Sequence, residues 1–553
     1  MHSRPIRRRD LLRSLTAVAA AFPMVAAAQT RPAGSQRPNI VLIMADDMGF
    51  SDIGCYGGEI ATPNLDRLAA TGIRFTQFYN AARCCPTRAS LLTGLYPHQA
   101  GIGHMVEGRP GFPSYQGYLN TQCVTIGEAL RKGGYATYIS GKWHVGEKRP
   151  HWPVDRGFDR SFALISGATN YFKLDRGRQM AIDDKPYAPG DDFYITDAFA
   201  NNAAKFVREH ATTHGTQKPF FLYVPFTAPH WPLHALPEDI AKYRGKYKAG
   251  WDTLREQRHA RMKKMGIVKD SWPMSPRDPD APAWESVKDK DLEDHKMAVY
   301  AAQVDRMDQG IGRIVEQLRA TGVEDNTLIF FLADNGGCAE EIHPEKGSTR
   351  NTWGDPDAPP GPVGSYESYG LPWANASNTP FRMFKHWVHE GGISSPLICR
   401  WPAGIRGKGT LSDAPGHLID IMATCLDVAG VSYPETMNGA RITPLEGKSL
   451  APVFATGKRA GHPAIYWEHE GNRAVRQGRW KVVSRFDVKA GKHGQWELYD
   501  LEADRTESKN LAASNGAKLR ELTALYDSWA MRAGVVSWDE LNSARDGKKK
   551  KRG

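Results

Sequence analysis

Four runs of aliphatic, β-branched and aromatic residues, each stopping at a polar cluster, constrain this chain more than any other feature. Asn39-Ile40-Val41-Leu42-Ile43-Met44 leads to Asp46-Asp47, and Tyr135-Ala136-Thr137-Tyr138-Ile139 leads to Lys142 and His144. Phe220-Phe221-Leu222-Tyr223-Val224 leads to His230, and Leu328-Ile329-Phe330-Phe331-Leu332 leads to Asp334-Asn335. Near-continuous apolar strands predict a sheet covered on both faces. Helical patterns intervene: Thr62-Pro63 opens one through Leu65, Leu68 and Ala69, and Thr125–Leu130 and Ala301–Leu318 read as others. The fold class is therefore α/β, a large, mostly parallel sheet sandwiched by helices. Ligands of such sheets bind beyond the carboxyl ends of the strands, so the four polar clusters are expected around one mouth.

The 553 residues, 41% hydrophobic and 24% charged, suffice for one large soluble domain and a smaller one. Residues 234–290, rich in Lys, Arg, Asp and Pro, read as an excursion from the sheet, and Gly354–Tyr369 as a loop near the mouth. After about 455 the pattern changes to short antiparallel strands at Ala474-Val475-Arg476, Trp480-Lys481-Val482-Val483 and Trp496-Glu497-Leu498-Tyr499, then a closing helix over 513–532. The expected organisation is a catalytic domain over 37–454, a C-terminal α+β subdomain over 455–545 and a basic tail over 546–553.

Arg7-Arg8-Arg9-Asp10-Leu11-Leu12-Arg13, an apolar run to Phe22 and Ala26-Ala27-Ala28 read as a twin-arginine signal peptide over 1–28. That run is about half the length of a bilayer span, so no anchor is expected in the mature chain, which would be periplasmic or secreted. Of the formal net charge of +11, residues 1–28 carry +4 and Lys548–Arg552 carry +5, which leaves +2 for the body. A nearly neutral body argues against nucleic acid as a partner.

Cys84-Cys85-Pro86-Thr87-Arg88 followed by Ala89-Ser90-Leu91-Leu92-Thr93-Gly94 places a candidate nucleophile where a helix begins, with Pro86 in the first turn and Gly94 at the end. Taken alone, Cys84 reads equally as a buried thiol. Asp46, Asp47, Asp334 and Asn335 offer only oxygen, which suits calcium or magnesium over zinc. Lys142, His144 and His230 taken singly are ordinary structural residues. The seven cysteines show no zinc-finger spacing, and their pairing is not legible. Trp231, His234, Trp353, Trp373 and Trp387 either stack on a sugar or aryl group or fill the core.

The pattern C-x-P-x-R with Leu92-Thr93-Gly94 resembles the signature of the formylglycine-dependent sulfatases, arylsulfatase-like members of the alkaline phosphatase superfamily. The register selects Cys84, because Cys85 touches the proline directly. Thr62-Pro63-Asn64-Leu65-Asp66-Arg67-Leu68, Gly141-Lys142-Trp143-His144-Val145-Gly146, Ala333-Asp334-Asn335-Gly336-Gly337 and Glu390-Gly391-Gly392 resemble further family blocks, in family order.

The resemblance implies an alkaline phosphatase-like fold, formylglycine made from Cys84 by a formylglycine-generating enzyme, and one calcium held by Asp46, Asp47, Asp334, Asn335 and the modified Cys84. It assigns sulfate contacts to Arg88, Lys142, His144, His230 and Lys385. One hydroxyl of the hydrated aldehyde would attack sulfur, His230 or Lys385 would protonate the leaving alcohol, and His144 would take the second hydroxyl proton to expel sulfate. The implied substrate is a sulfate ester, a sulfated carbohydrate or aryl sulfate, with a phosphonate or phosphodiester hydrolase as the rival on the same scaffold. Two departures stand out. Thr87 replaces the usual Ser, and Ser394 follows Ile393 where Arg is frequent, a change expected to alter the rim.

Overall fold

Alternate residues of one strand, Asn39–Ala45 (β1), enter two different cores. Val41, Ile43 and Ala45 pack on one face of the sheet and Ile40, Leu42 and Met44 on the other. Both faces of Thr327–Ala333 (β8) and of Phe220–Pro225 (β7) are buried in the same way. This double burial is why these segments read as unbroken apolar runs, and each fully buried large side chain contributes about 1.5–3 kcal/mol. The computed structural model describes residues 36–109, 111–343, 354–487 and 489–549. The export signal, Trp353 and residues 550–553 of the basic tail lie outside them.

The remaining strands of the large sheet are Ile73–Tyr79 (β2), Ala136–Lys142 (β3), Arg160–Leu164 (β4), Met180–Ile182 (β5), Lys185–Tyr187 (β6), Ser394–Arg400 (β9), Thr410–Ser412 (β10) and Gly416–His417 (β11). Their order is β10-β2-β9-β8-β1-β7-β3-β4-β5-β6, with β11 also on β2. The run β8-β1-β7-β3-β4 is parallel, and β9 opposes both β8 and β2. The carboxyl ends of β1, β2, β3, β7 and β8 therefore lie on one edge.

One helical layer holds Pro63–Thr71 (α1), Ile195–His214 and the long helix Lys290–Ala320, and the other holds Cys84–Thr93 (α2), Ile126–Lys132 (α3) and Ile419–Ala429. Local signals set several boundaries. Thr125 and Glu128 form a reciprocal cap on α3, Asp289 caps the long helix through Leu292 N–H, and Gly94 closes α2 at φ 68°. The excursion after 234 contains helices Pro237–Ala241 and Gly250–Lys264.

Strands Ile465–His469, Asn472–Gln477, Trp480–Ser484 and Glu497–Asp500 form an antiparallel sheet. One face packs on Tyr79, Val388 and Ile393, and the other on helix Gly516–Ala533. Both sheets belong to one compact unit beginning at Arg37. Across their junction the Glu390 carboxylate accepts hydrogen bonds from Lys481 Nζ and Arg505 Nε, each at 2.9 Å, with all three side chains fully buried. Ser394 is buried within this network and takes a hydrogen bond from Arg505 at 3.1 Å. The change at 394 therefore acts inside the junction and not at the rim. Among the described residues no helix is long and apolar enough to cross a membrane.

Candidate active site

The site grows from strand ends. β1 runs into Asp46 and Asp47, β3 ends on Lys142 with His144 beyond it, and β8 runs into Asp334 and Asn335. His230 lies beyond β7, and β2 leads into α2, whose first residue is Cys84. Lys385 comes from the loop before Glu390–Ile393, and its N–H donates to Gly337 O at 3.1 Å. That loop can lie so close because a Cβ on Gly336 would stand 1.9 Å from Gly391 O.

These side chains form one buried lattice of opposite charges. Arg88 Nη2 lies 2.9 Å from Asp334 Oδ2 and 3.2 Å from Asp46 Oδ2. Lys142 Nζ donates to Asp46 Oδ2 at 2.6 Å and Lys385 Nζ to Asp47 Oδ2 at 2.8 Å. Asn335 Nδ2 donates to Asp47 Oδ1 at 2.7 Å, and Asp47 N–H to Asp334 Oδ1 at 3.1 Å. The structure thus brings Asp46, Asp47, Arg88, Lys142, His230, Asp334, Asn335 and Lys385 together through direct contacts. Cys84 and His144 form a second group, with ligating atoms of Cys84, Cys85 and His144 all within 4.8 Å of one another, and Cys84 interacts electrostatically with Lys142 and Asp46.

Thr87 shows why its departure from Ser is tolerated. Its hydroxyl accepts from Ala81 N–H at 3.0 Å and donates to Asp334 O at 2.6 Å, using only the group that Ser shares.

Burial opposes ionisation of Asp46, but Lys142 and Arg88 outweigh it and hold the carboxyl below the usual carboxylate range. Burial and the neighbouring Asp46 carboxylate push Asp334 well above that range despite Arg88. Asp46 Oδ1 and Asn335 Oδ1 are buried without a hydrogen-bond partner. Crowded carboxylates beside two orphaned oxygens, every donor being oxygen, fit a hard divalent cation.

At Cys84 the hydrogen bond from Cys85 comes first, then burial against it, then Lys142 and His144. The sum pulls the thiol well below its ordinary value, so the site stabilises negative charge at this position. Burial lowers the pKa of both His144 and His230. His230 Nδ1 lies 2.6 Å from Trp231 O and must donate to it, which leaves the Nε2 lone pair facing Lys385 Nζ at 3.3 Å. Lys385 is disfavoured as a cation by burial, but Asp47 and the surrounding negative groups raise its pKa well above the ordinary value.

One contributor escaped the sequence reading. Glu340 accepts from Arg83 at 2.7 Å and from Trp231 Nε1 at 2.9 Å and lies 3.7 Å from Lys385 Nζ. Its only signal is a pair of acids shortly after Asn335-Gly336-Gly337, which reads as a solvated loop. Of the aromatic candidates, Trp373 is fully buried against Trp251 and Trp284, and His234 is fully buried on Ser365 O. Trp231 stays beside His230.

A mostly parallel sheet covered by helices on both faces, with carboxylates, cations and a helix-start residue gathered at one edge, defines an α/β enzyme of the alkaline phosphatase-like class. A family model described as sulfatase matches residues 38–431, and one for the C-terminal region of N-sulphoglucosamine sulphohydrolase matches 381–525. The chain is 36% identical to an uncharacterised sulfatase of Schizosaccharomyces pombe, covering 92% of this chain and 96% of that one. It is 35% identical to an arylsulfatase of Klebsiella aerogenes over 79% of this chain and 96% of that one. The crystal structure of Ps i-CgsB in complex with k-i-k-neocarrahexaose superposes with a TM-score of 0.64 at 26% identity, covering 90% of this chain and 93% of that one. The chain belongs to the sulfatase family and is a sulfuric ester hydrolase.

Proposed function

We propose that this enzyme hydrolyses the sulfate ester of a saccharide or aryl alcohol with a formylglycine at position 84 and one calcium ion. The observation that carries the reading is the charge balance of the lattice. Three buried carboxylates, Asp46, Asp47 and Asp334, face three buried cations, Arg88, Lys142 and Lys385. A divalent cation and a singly charged sulfate ester would leave one positive charge in excess, matched when the ester becomes the sulfate dianion.

Asp46, Asp47, Asp334 and Asn335, with the residue at 84, would hold the calcium, which when bound supplies Lewis-acid stabilisation of charge on the sulfate oxygens. Arg88, Lys142 and Lys385 would orient the ester and neutralise its oxygens. Attack on sulfur by a hydroxyl of the hydrated aldehyde, its proton passing to the Asp47 carboxylate, would break the bond to the alcohol, which leaves with a proton from Lys385; Asp47, 2.8 Å from Lys385 Nζ, would then return the first proton to that amine. This assigns the proton to Lys385 rather than to neutral His230, whose Nε2 lone pair faces that ammonium. His144, with its buried Nδ1 unpartnered, would take the second hydroxyl proton and expel sulfate.

A carbohydrate alcohol is favoured by two comparisons: the solved relative is in complex with a neocarrahexaose, and a 28% identical rat relative is named N-acetylgalactosamine-6-sulfatase. We further propose that residues 1–28 direct export to the periplasm or medium, that a formylglycine-generating enzyme acts on Cys84 before folding, and that 37–454 is the catalytic domain, with 455–545 as its C-terminal subdomain. Mass spectrometry of the exported chain is expected to find a new N-terminus after Ala28 and residue 84 lighter than cysteine. Free sulfate, and not phosphate, should be released from paired aryl esters. A fully unmodified Cys84 in active protein, or a preference for the phosphodiester, overturns the proposal.

A further inference from the structure

A second group of ligating side chains lies beside the pocket and takes no part in the chemistry above. Glu470, in the turn between strands Ile465–His469 and Asn472–Gln477, sets its carboxylate among three imidazoles. His104 Nε2 lies 2.6 Å from Oε1, His386 Nδ1 3.1 Å from Oε2 and His469 Nε2 3.6 Å from Oε1. One ligating atom from each of His386, His469 and Glu470 lies within 4.8 Å of the other two. His469 is fully buried, and neither of its ring nitrogens has a hydrogen-bond partner. A buried imidazole left this way is costly unless something else engages it.

Zinc bonds to nitrogen and oxygen of about 2.0–2.1 Å place tetrahedral ligand atoms roughly 3.3 Å apart. His386 Nδ1 at 3.1 Å from Oε2 is close to that spacing, and His469 Nε2, 3.6 Å from Oε1, is near enough to the same carboxylate to complete a set within 4.8 Å. We propose that His386, His469 and Glu470 bind one divalent transition metal of the zinc class, with His104 holding Glu470 in place. Two imidazoles and one carboxylate select such a metal over calcium, in contrast to the all-oxygen acidic cluster. The His386 and Glu470 side chains are each 20% exposed, so the site has access to solvent and an open coordination position. His386 follows Lys385 directly, and its N–H donates to Ala82 O at 2.7 Å, two residues before Cys84. The metal would clamp the C-terminal hairpin to the loop that carries Lys385. Binding depends on neither formylglycine nor calcium, so its failure leaves the sulfatase reading untouched.

Metal on His386 Nδ1 moves that ring's proton to Nε2, which now faces Asn472 Nδ2 at 3.3 Å. Asn472→Asp would supply an acceptor there and tighten binding, as carboxylates behind metal-bound histidines do. The test is Co2+ and Zn2+ titration of the full-length enzyme, stripped with chelator and resupplied with Ca2+, read by calorimetry, visible absorption and anomalous diffraction at the zinc edge. One equivalent is expected, with d–d bands and no thiolate charge transfer, and with anomalous density among the three side chains. His469→Ala should abolish uptake, His104→Ala should weaken it about 10–100-fold, and Asn472→Asp should strengthen it. His386→Asn, which suits the left-handed backbone at φ 88°, serves if the buried variant does not fold, and should also abolish uptake. Unchanged uptake in these ligand variants, or thiolate charge transfer marking Cys84 and Cys85, overturns the proposal. So does absent uptake in the wild type, including the case where His386→Asn raises KM for a saccharide sulfate.

Discussion

Replacing Glu390 with Gln keeps its shape and removes the one charge that Lys481 and Arg505 share across the two sheets. The carboxyl also accepts from Tyr79 OH at 3.0 Å and from Ser394 at 3.2 Å, and it is fully buried. Burial alone would raise its pKa, but Lys481, Arg505 and Arg476 bring it from 4.5 down to about 2. At about 1.36 kcal/mol per unit, the ionised form contributes roughly 3 kcal/mol at neutral pH. Removing one member of a buried pair independently suggests about 3–5 kcal/mol. The folded pKa is depressed, so this stability is complete above the unfolded value near 4.5 and is lost as pH falls through about 2. The wild-type advantage over Glu390→Gln should thus fall from roughly 3 kcal/mol at pH 7 to roughly 2 at pH 3.5, read by urea unfolding. For a body of this size the loss at pH 7 corresponds to about 3 °C in Tm. A loss below about 1 kcal/mol, the worth of an exposed pair, or a difference that grows on acidification refutes the reasoning.

The chemistry yields three more expectations. His144→Ala should lower steady-state turnover by about 10²–10⁴ while still releasing one equivalent of alcohol, leaving sulfate on the enzyme, as rapid quench and intact-mass measurement would show. Lys385→Met should lower kcat most for substrates with poor leaving groups, because an alcohol of low pKa departs without a proton; an equal loss on every ester rules out the assigned role. Chelation should abolish sulfate release and lower the melting temperature, since burial and the Asp46 carboxylate then work against ionised Asp334 with Arg88 only partly offsetting them, and added Ca2+ should restore both.

The parallel sheet and its mouth were legible because β1, β7 and β8 are buried on both faces, and such strands leave an unmistakable apolar run. Cys84 at the helix start was legible through Pro86 and Gly94, whose backbone preferences are local. Strand Ile465–His469 was not, because Ile465-Tyr466-Trp467-Glu468-His469 ends in charge and its partners are set by register with Asn472–Gln477. Lys385 needed the resemblance, since a lysine on an irregular loop is placed only by contacts such as Gly336 against Gly391. Glu340 and the junction ions were invisible for the same reason: Glu390, Lys481 and Arg505 are far apart in sequence, and nothing local marks a charge as buried.

Backbone strain connects that junction to the pocket. Among the described residues nine that are not glycine have positive φ, and Asp47, Ala82, His144, Met383 and His386 are five of them, all in the pocket or next to its residues. Each such conformation costs on the order of 1–3 kcal/mol and persists only where the surroundings over-determine it. Two more, Glu470 and Glu507, sit in the histidine cluster and the junction, where Glu507 pairs with Lys481 at 2.7 Å. Loosening the junction should therefore let the strained loops relax before the sheet does. Lys385 is the most exposed to this effect, because its loop is held by backbone hydrogen bonds to Gly337 and Ala82 and by no strand of its own. In Glu390→Gln, kcat should fall at temperatures where the circular dichroism of the sheet is still native. Activity and sheet melting together would place the strain elsewhere.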